Sequence, residues 1–343
     1  MATAMPSKSQ RSEGHRILEL AYAFREAKVL LSAIELGVFR TLADGPLDCN
    51  ELRTRLGLHS RGARDFLDAL VALELLQRDD AGYYGNTEAA ERFLVLGGPS
   101  YLGGLLQHLN TREYPCWSRL PDALRTGDPQ FRNGGADHYQ ELYADPADVA
   151  DFARAMSGGS LLLATELANH YAWERHNTFI DIGCAEGCLP VQLAERHPHL
   201  TGGGFDLPAI APSFNSYVQK HGLSDRLRFH AGDFLTDPLP GADVLIMGRV
   251  LHNWDLPIKK MLLDKAHAAL EPASVLIVYE RLIDDERRVS ASGLLASLNM
   301  LVMTKGGFDY SAADCMSWMR EAGFRSMSIV PLTPDQSAII AIK

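Results

Sequence analysis

Acidic residues close successive apolar runs in the C-terminal half of this 343-residue chain. "TFIDIG" carries Asp181 and ends at Gly183, "LTGGGFDLP" carries Asp206, and "HAGDF" carries Asp233 and Phe234. A carboxylate at the end of a second strand can accept from both hydroxyls of a ribose. At the end of a third strand, a carboxylate beside an aromatic ring can accept from an adenine amino group while the ring packs on the base. Gly183 and Gly187 in "GCAEG" would let the backbone approach such a ligand without a Cβ in the way. The nicotinamide fingerprint G-x-G-x-x-G is not met. Its middle glycine is missing, and Glu186 stands where a pyrophosphate would need to come close. A nucleoside with a positive charge and no phosphate tolerates that loop better, and S-adenosylmethionine is such a molecule.

A second constellation follows. "ADVLIMGRVLHNWD" runs into His252, "ASVLIVYERLI" places Glu280 at the end of the next apolar run, and "TKGGFDY" supplies Asp309. A histidine flanked by two carboxylates suits a general base, because the acids set its tautomer and support the imidazolium formed. Taken singly, a histidine after a strand can equally be a hydrogen-bonded structural residue.

The elements that must position these residues can also be read. From residue 177 strand-like and helix-like segments alternate, which predicts a mainly parallel sheet covered on both faces. Ligands of such sheets bind at the carboxyl ends of the strands, where the strand order switches. Residues 16–40 have apolar positions at helical spacing, ending near Gly37. A helix, a turn at Gly57, a second helix from about Arg61 to Leu76 and the hairpin "RDDAGYYGNT" then form a winged-helix pattern. Residues 99–175 are helical in pattern and carry Tyr101, Tyr114, Trp117 and Phe152, a layer of the kind that often lines a ligand pocket. The domains expected are a disordered lead 1–14, a helical and winged-helix domain 15–98, a helical linker 99–175 and a nucleoside-binding domain 176–343.

Composition bounds the function. Hydrophobic residues make up 46% and charged residues 22%, ordinary for a globular protein with a sizeable core. A net charge of -10 argues against nucleic acid as partner, whose affinity needs a basic face. No apolar run is long enough to span a membrane, and the N-terminus lacks the apolar core of a signal peptide. Five cysteines show no paired framework and Cys184 and Cys188 are too isolated for zinc, so reduced thiols, no metal and a cytoplasmic location are expected.

"DIGCAEG", "GFDLP", "GDF", "VLHNWD" and "GGFDYS", in this order and spacing, resemble the small-molecule O-methyltransferases of the caffeate and acetylserotonin type, whose bacterial members modify aromatic natural products. The resemblance covers nearly the whole chain from about residue 15. It implies a Rossmann-like doubly wound α/β methyltransferase domain behind an N-terminal all-α and winged-helix dimerisation domain, hence a homodimer. It implies S-adenosylmethionine as methyl donor, S-adenosylhomocysteine as product and a small-molecule acceptor. By the same resemblance Asp206 with Leu207 would hold the ribose, Asp233 and Phe234 the adenine, and Gly183 the methionine part, with Arg249 and Ser160 near the cofactor. His252 would be the base, with Glu280 and Asp309 supporting it. Phe152, Met156, Met300, Thr304 and Trp117 would line the acceptor pocket.

Three positions depart from the family's pattern. "GCAEG" replaces a glycine-richer loop, "HNW" places Asn253 where aspartate is common, and Asp309 is one methylene shorter than the usual glutamate. Methylation of carbon, on an aromatic ring or a keto acid, would use the same cofactor site and stays open. So do a non-catalytic relative and a winged-helix regulator that senses a small ligand.

Overall fold

The computed structural model describes residues 13–98, 100–131 and 146–343, apart from the side chains of residues 146–148 and 151. Most of the expected lead 1–14 lies outside the described residues; Glu13 and Gly14 already belong to the first helix. The chain divides into two compact units between Asn110 and Thr111.

In the first unit the helix Glu13–Leu36 stops at Gly37, whose φ of 74° breaks it from the short helix Val38–Leu42. Asp48 caps the helix Cys49–Arg55 in a reciprocal capping box with Glu51. The helix Ser60–Ala72 buries Ala63, Leu67 and Leu70 along one face. It ends four residues earlier than its apolar spacing predicts. Glu74 takes a φ of 59°, and Leu76 already starts strand β1 (Leu76–Arg78), paired antiparallel with β2 (Tyr84–Asn86). This is the winged-helix arrangement. Its core is built on Phe39, Leu52, Leu67, Leu70 and Tyr84. The first half of Glu13–Leu36 stays outside that core: Ile17, Leu20 and Phe24 are 68%, 79% and 55% exposed.

The second unit is built on a seven-stranded sheet. Its strands are β3 (Thr178–Ile182), β4 (Thr201–Asp206), β5 (Leu227–Ala231), β6 (Val244–Gly248), β7 (Val275–Glu280), β8 (Ser326–Thr333) and β9 (Gln336–Ile342). Their order is β5-β4-β3-β6-β7-β9-β8, parallel except for β9, which runs antiparallel to both neighbours. The central strands read as unbroken apolar runs because both faces are covered. Phe179, Ile246, Ile277 and Ile340 face the helices Pro146–His170, Cys188–Arg196 and Ala211–Lys220. Ile180, Met247, Val278 and Ile339 face the helices Leu256–Ala269 and Ala312–Glu321. The chain moves outward from β3 to β5 and returns to β6, so the switch in strand order lies between β3 and β6. Among the described residues no helix is long and apolar enough to cross a membrane.

Candidate active site

The acids and the histidine collect along the carboxyl edge of this sheet. After β3 the backbone takes positive φ at Gly183 (75°), Ala185 (48°) and Gly187 (92°), folding the loop back over the edge. Asp206 ends β4 with its side chain buried. The Ala185 amide donates to its Oδ2 at 3.0 Å and the Leu207 amide to its Oδ1 at 2.8 Å. Each oxygen keeps a lone pair for a further donor. Burial raises the Asp206 pKa to about 6, and these two backbone hydrogen bonds offset only part of that rise. A ribose diol donating two hydroxyls to this carboxylate would use those remaining lone pairs. Asp181 lies inside β3; burial first and the Asp206 charge second push its pKa well above the carboxylate range.

The glycines have a different reason from the one their types suggest. A Cβ on Gly187 would sit 2.7 Å from the Phe214 ring, and one on Gly183 would sit 2.9 Å from Val250. Both positions are closed by protein packing and by positive φ, so neither glycine is needed merely to admit a ligand. Asp233 is half-buried, and its Oδ1 accepts from the Leu235 amide at 2.8 Å. The Phe234 ring stands edge-on to Trp254, centroids 5.8 Å apart. Arg249 follows β6 with a φ of 56°, tied by its amide to the Tyr279 carbonyl at 3.0 Å.

His252, Glu280 and Asp309 do meet. His252 Nδ1 lies 3.4 Å from Asp309 Oδ1 and 3.6 Å from Glu280 Oε2. The His252 backbone amide also donates to Glu280 Oε1 at 3.3 Å. Glu280 and Asp309 are each 1% exposed. Burial alone would lower the His252 pKa, but the two acids outweigh it and hold it above the usual imidazole value. Burial in turn raises Glu280 to about 6, against the pull of His252. Both acids sit on the Nδ1 side, which leaves Nε2 as the ring nitrogen away from them.

Local sequence explains how the three converge. Asn253 donates its side-chain amide to the carbonyls of Arg249 (3.0 Å) and Val250 (3.3 Å), closing the turn that carries His252. An aspartate there has no donor for those carbonyls. Gly306 and Gly307 run against the same turn; a Cβ on Gly307 would sit 2.6 Å from the His252 carbonyl oxygen. The glycine pair thus lets the following Asp309 reach the histidine.

Of the residues expected to line the acceptor pocket or to lie near the cofactor, Phe152, Met156 and Ser160 are half-buried and recur every four residues on Pro146–His170, along one stripe. On the same helix Ser157 is buried. Trp117 is half-buried and donates its indole N–H to Asn299 Oδ1 at 2.7 Å. Met300 is buried in the helix Ala291–Met303. The Thr304 hydroxyl donates to the Met300 carbonyl (2.7 Å) and accepts from the Gly307 amide (2.9 Å), so it serves the loop toward Asp309. Nothing in the sequence marks Asn299 or Glu113 as part of this region. Glu113 is raised by burial, against the opposing influence of Arg249, Asn299 and His252. Neither residue carries a motif. Only the approach of the helices reveals them.

The profile of the O-methyltransferase domain matches residues 117–325, and that of the O-methyltransferase dimerisation domain matches residues 18–96. The chain is 42% identical to the tetracenomycin polyketide synthesis 8-O-methyl transferase TcmO of Streptomyces glaucescens, over 94% of this chain and 95% of that one. It is 40% identical to the N,N-dimethyltransferase OxyT of Streptomyces rimosus, over 92% and 91%. Human N-acetylserotonin methyltransferase, solved in complex with S-adenosylmethionine, superposes with a TM-score of 0.90 at 28% identity, covering 98% and 99%.

Proposed function

The chain belongs to the O-methyltransferase family, and from that premise we propose that it moves a methyl group from S-adenosylmethionine to a hydroxyl of a small aromatic natural product, with His252 as general base. The observation that carries the base is the contact of His252 Nδ1 with two buried carboxylates on the sheet edge that also bears Asp206.

The bound cofactor supplies an electrophilic methyl on a positively charged sulfur. Asp206, with the Leu207 amide bound to its Oδ1, accepts from the ribose, while Asp233 and Phe234 receive the adenine. Gly183, Arg249 and Ser160 border the rest of the nucleoside and methionine. Phe152, Met156, Met300 and Trp117 hold the acceptor ring. A phenol's pKa is near ~10, so little phenolate exists at neutral pH. His252 takes the hydroxyl proton as oxygen attacks, and Glu280 and Asp309 stabilise the imidazolium. A positioned base of this kind contributes roughly 10²–10⁴-fold, and alignment of the reactants adds to it.

The protein acts as a homodimer, a reading supported by the match of residues 18–96 to the dimerisation domain and by the exposed apolar first helix. Free cysteines at all five positions suit a cytoplasmic enzyme, and the net charge of -10 argues against a nucleic-acid partner. One relative favours a second acceptor atom, since OxyT is an N,N-dimethyltransferase. Incubation with methyl-labelled S-adenosylmethionine and a panel of hydroxyaromatic, aminoaromatic and keto-acid acceptors, followed by product analysis, decides among oxygen, nitrogen and carbon. O-methyl ethers are the expected products; label appearing only on nitrogen or carbon would refute the acceptor assignment.

A further inference from the structure

Lys259 is the one lysine or arginine among the described residues that is wholly enclosed, at 0% exposure. It lies in the first turns of the helix Leu256–Ala269, where a leucine or methionine would fill the space without removing a charge from water. Its ammonium donates to the Trp254 carbonyl, two residues from His252. It stands 3.5 Å from the centroid of Phe308, the residue before Asp309, and 5.6 Å from that of Tyr310. Such rings attract a desolvated cation. Lysine is almost never fully buried unless paired; the carboxylates whose charge acts on this one are Glu280 and Asp309, then Asp255 on its own helix cap, and the Cys315 thiol of Ala312–Glu321, kept protonated by burial, also faces it.

The partners of His252 show what that charge offsets. Glu280 Oε2 and both oxygens of Asp309 are buried without a hydrogen bond of ordinary geometry. While His252 is neutral and ready to accept a proton, two carboxylate charges would share this enclosed space. Arg249, from the end of β6, adds a cation near His252 and Glu280, and Glu113 also faces the histidine.

We propose that Lys259 is a positioning residue for proton transfer, an internal counter-cation that keeps Glu280 and Asp309 ionised while His252 is neutral. Without it every proton held by the trio is held more tightly, whichever of the three carries it. The base-ready form then appears only at higher pH. Burial holds the Lys259 pKa down at about 8, with Glu280 and Asp309 pulling it back up. Wild type should therefore lose the benefit above that pH as the ammonium gives up its own proton.

The catalytic arm of the test rests on His252 being the base; the spectroscopic arm does not. Turnover of an accepted hydroxyaromatic is followed from about pH 6 to about pH 9.5 for wild type, Lys259→Met and Lys259→Gln, the glutamine retaining a donor for the Trp254 carbonyl. Both variants should lose roughly tenfold near neutral pH, the scale of one unit charge acting from beyond ion-pair distance in a partly screened interior. Their acid limbs should move to higher pH, and KM for S-adenosylmethionine should stay within about threefold on the same scale. Above pH ~9 they should converge on wild type. An equal loss at every pH, or a wild-type profile for Lys259→Gln, overturns the proposal.

In parallel, the His252 ring resonance of the S-adenosylhomocysteine-bound protein, assigned by its disappearance in His252→Ala, should titrate at higher pH in both variants. An unmoved titration overturns the proposal even if turnover falls. If His252→Ala keeps its activity, the base assignment fails and the ring titration alone decides the case for Lys259. Should neither Lys259 variant fold, Glu280→Gln must lower the titration midpoint of the Lys259 ammonium, read by lysine ¹⁵N NMR, and an unchanged midpoint rejects the coupling.

Discussion

Asp206 and His252 are buried ionisable groups displaced in ways that make them pH-sensitive. The Asp206 pKa is raised to about 6, so in the cofactor-free protein its stability contribution is full below the unfolded carboxylate value and is lost as pH rises through about 6. Ribose hydroxyls donating to the ionised form reverse that preference. Affinity for S-adenosylhomocysteine should therefore weaken as pH falls below about 6, which calorimetry across that range will detect. Asp206→Ala should weaken binding by about one to two decades, the scale of hydrogen bonds to a charged group; unchanged affinity would remove Asp206 from the cofactor site. His252 is raised by its acids, so turnover should fall as pH drops, beginning above the ordinary imidazole range near ~6.5. His252→Ala should leave S-adenosylhomocysteine binding nearly intact and lower turnover by roughly 10²–10⁴-fold. Activity within about threefold of wild type would retire it as the base, given the usual contribution of such a group.

Two short connections decide whether those residues meet. The turn after β6 is closed by the Asn253 amide on two carbonyls, and the Gly306–Gly307 segment lies against it closely enough that Gly307 tolerates no Cβ. Gly307→Ala must push the Asp309 loop off the His252 carbonyl. Turnover should drop by at least about tenfold while cofactor affinity stays within about threefold, because only the acid–histidine contact moves. Equal effects on both would place the loop in cofactor binding instead. The loop after β3 works by a different constraint. Gly187 packs on Phe214 at a φ of 92°, so Gly187→Val should destabilise the whole unit, by roughly 1–3 kcal/mol in a denaturant melt, from overpacking and strain together.

At the scale of the molecule, the helix Glu13–Leu36 presents Ile17, Leu18, Leu20, Tyr22 and Phe24 to solvent. Large apolar side chains exposed on more than one side of a helix mark an interaction surface, and a second copy of the chain is the expected occupant. A permanent interface of this type buries well over ~2,000 Å². Ile17→Glu with Leu20→Glu should shift light-scattering mass from dimer to monomer without loss of helical signal. A wild-type protein that runs as a clean monomer at micromolar concentration would leave that face unexplained.

The sequence alone determined the architecture of both units. Strand-to-helix alternation, turn residues and apolar spacing are local signals, and each is written into consecutive residues. It also placed Asp206 at the end of its strand, whereas Asp233 and His252, expected at strand ends, stand two and four residues beyond β5 and β6, His252 in the turn Leu251–Asn253. The apolar pattern of the second winged-helix helix continues through Leu73, Leu75 and Leu76, past its true end, because Glu74 in a left-handed conformation has already turned the chain. What only the tertiary structure decided is who touches whom. The reach of Asp309 to His252 depends on Gly307 clearing a carbonyl more than fifty residues away in the chain. Trp117 meeting Asn299 depends on two helices packing together, and Lys259, one of two adjacent lysines in the sequence, lies enclosed where the charges of Glu280 and Asp309 act on it. Charges interact through space, and distance through space is the one quantity that spacing along the chain does not encode.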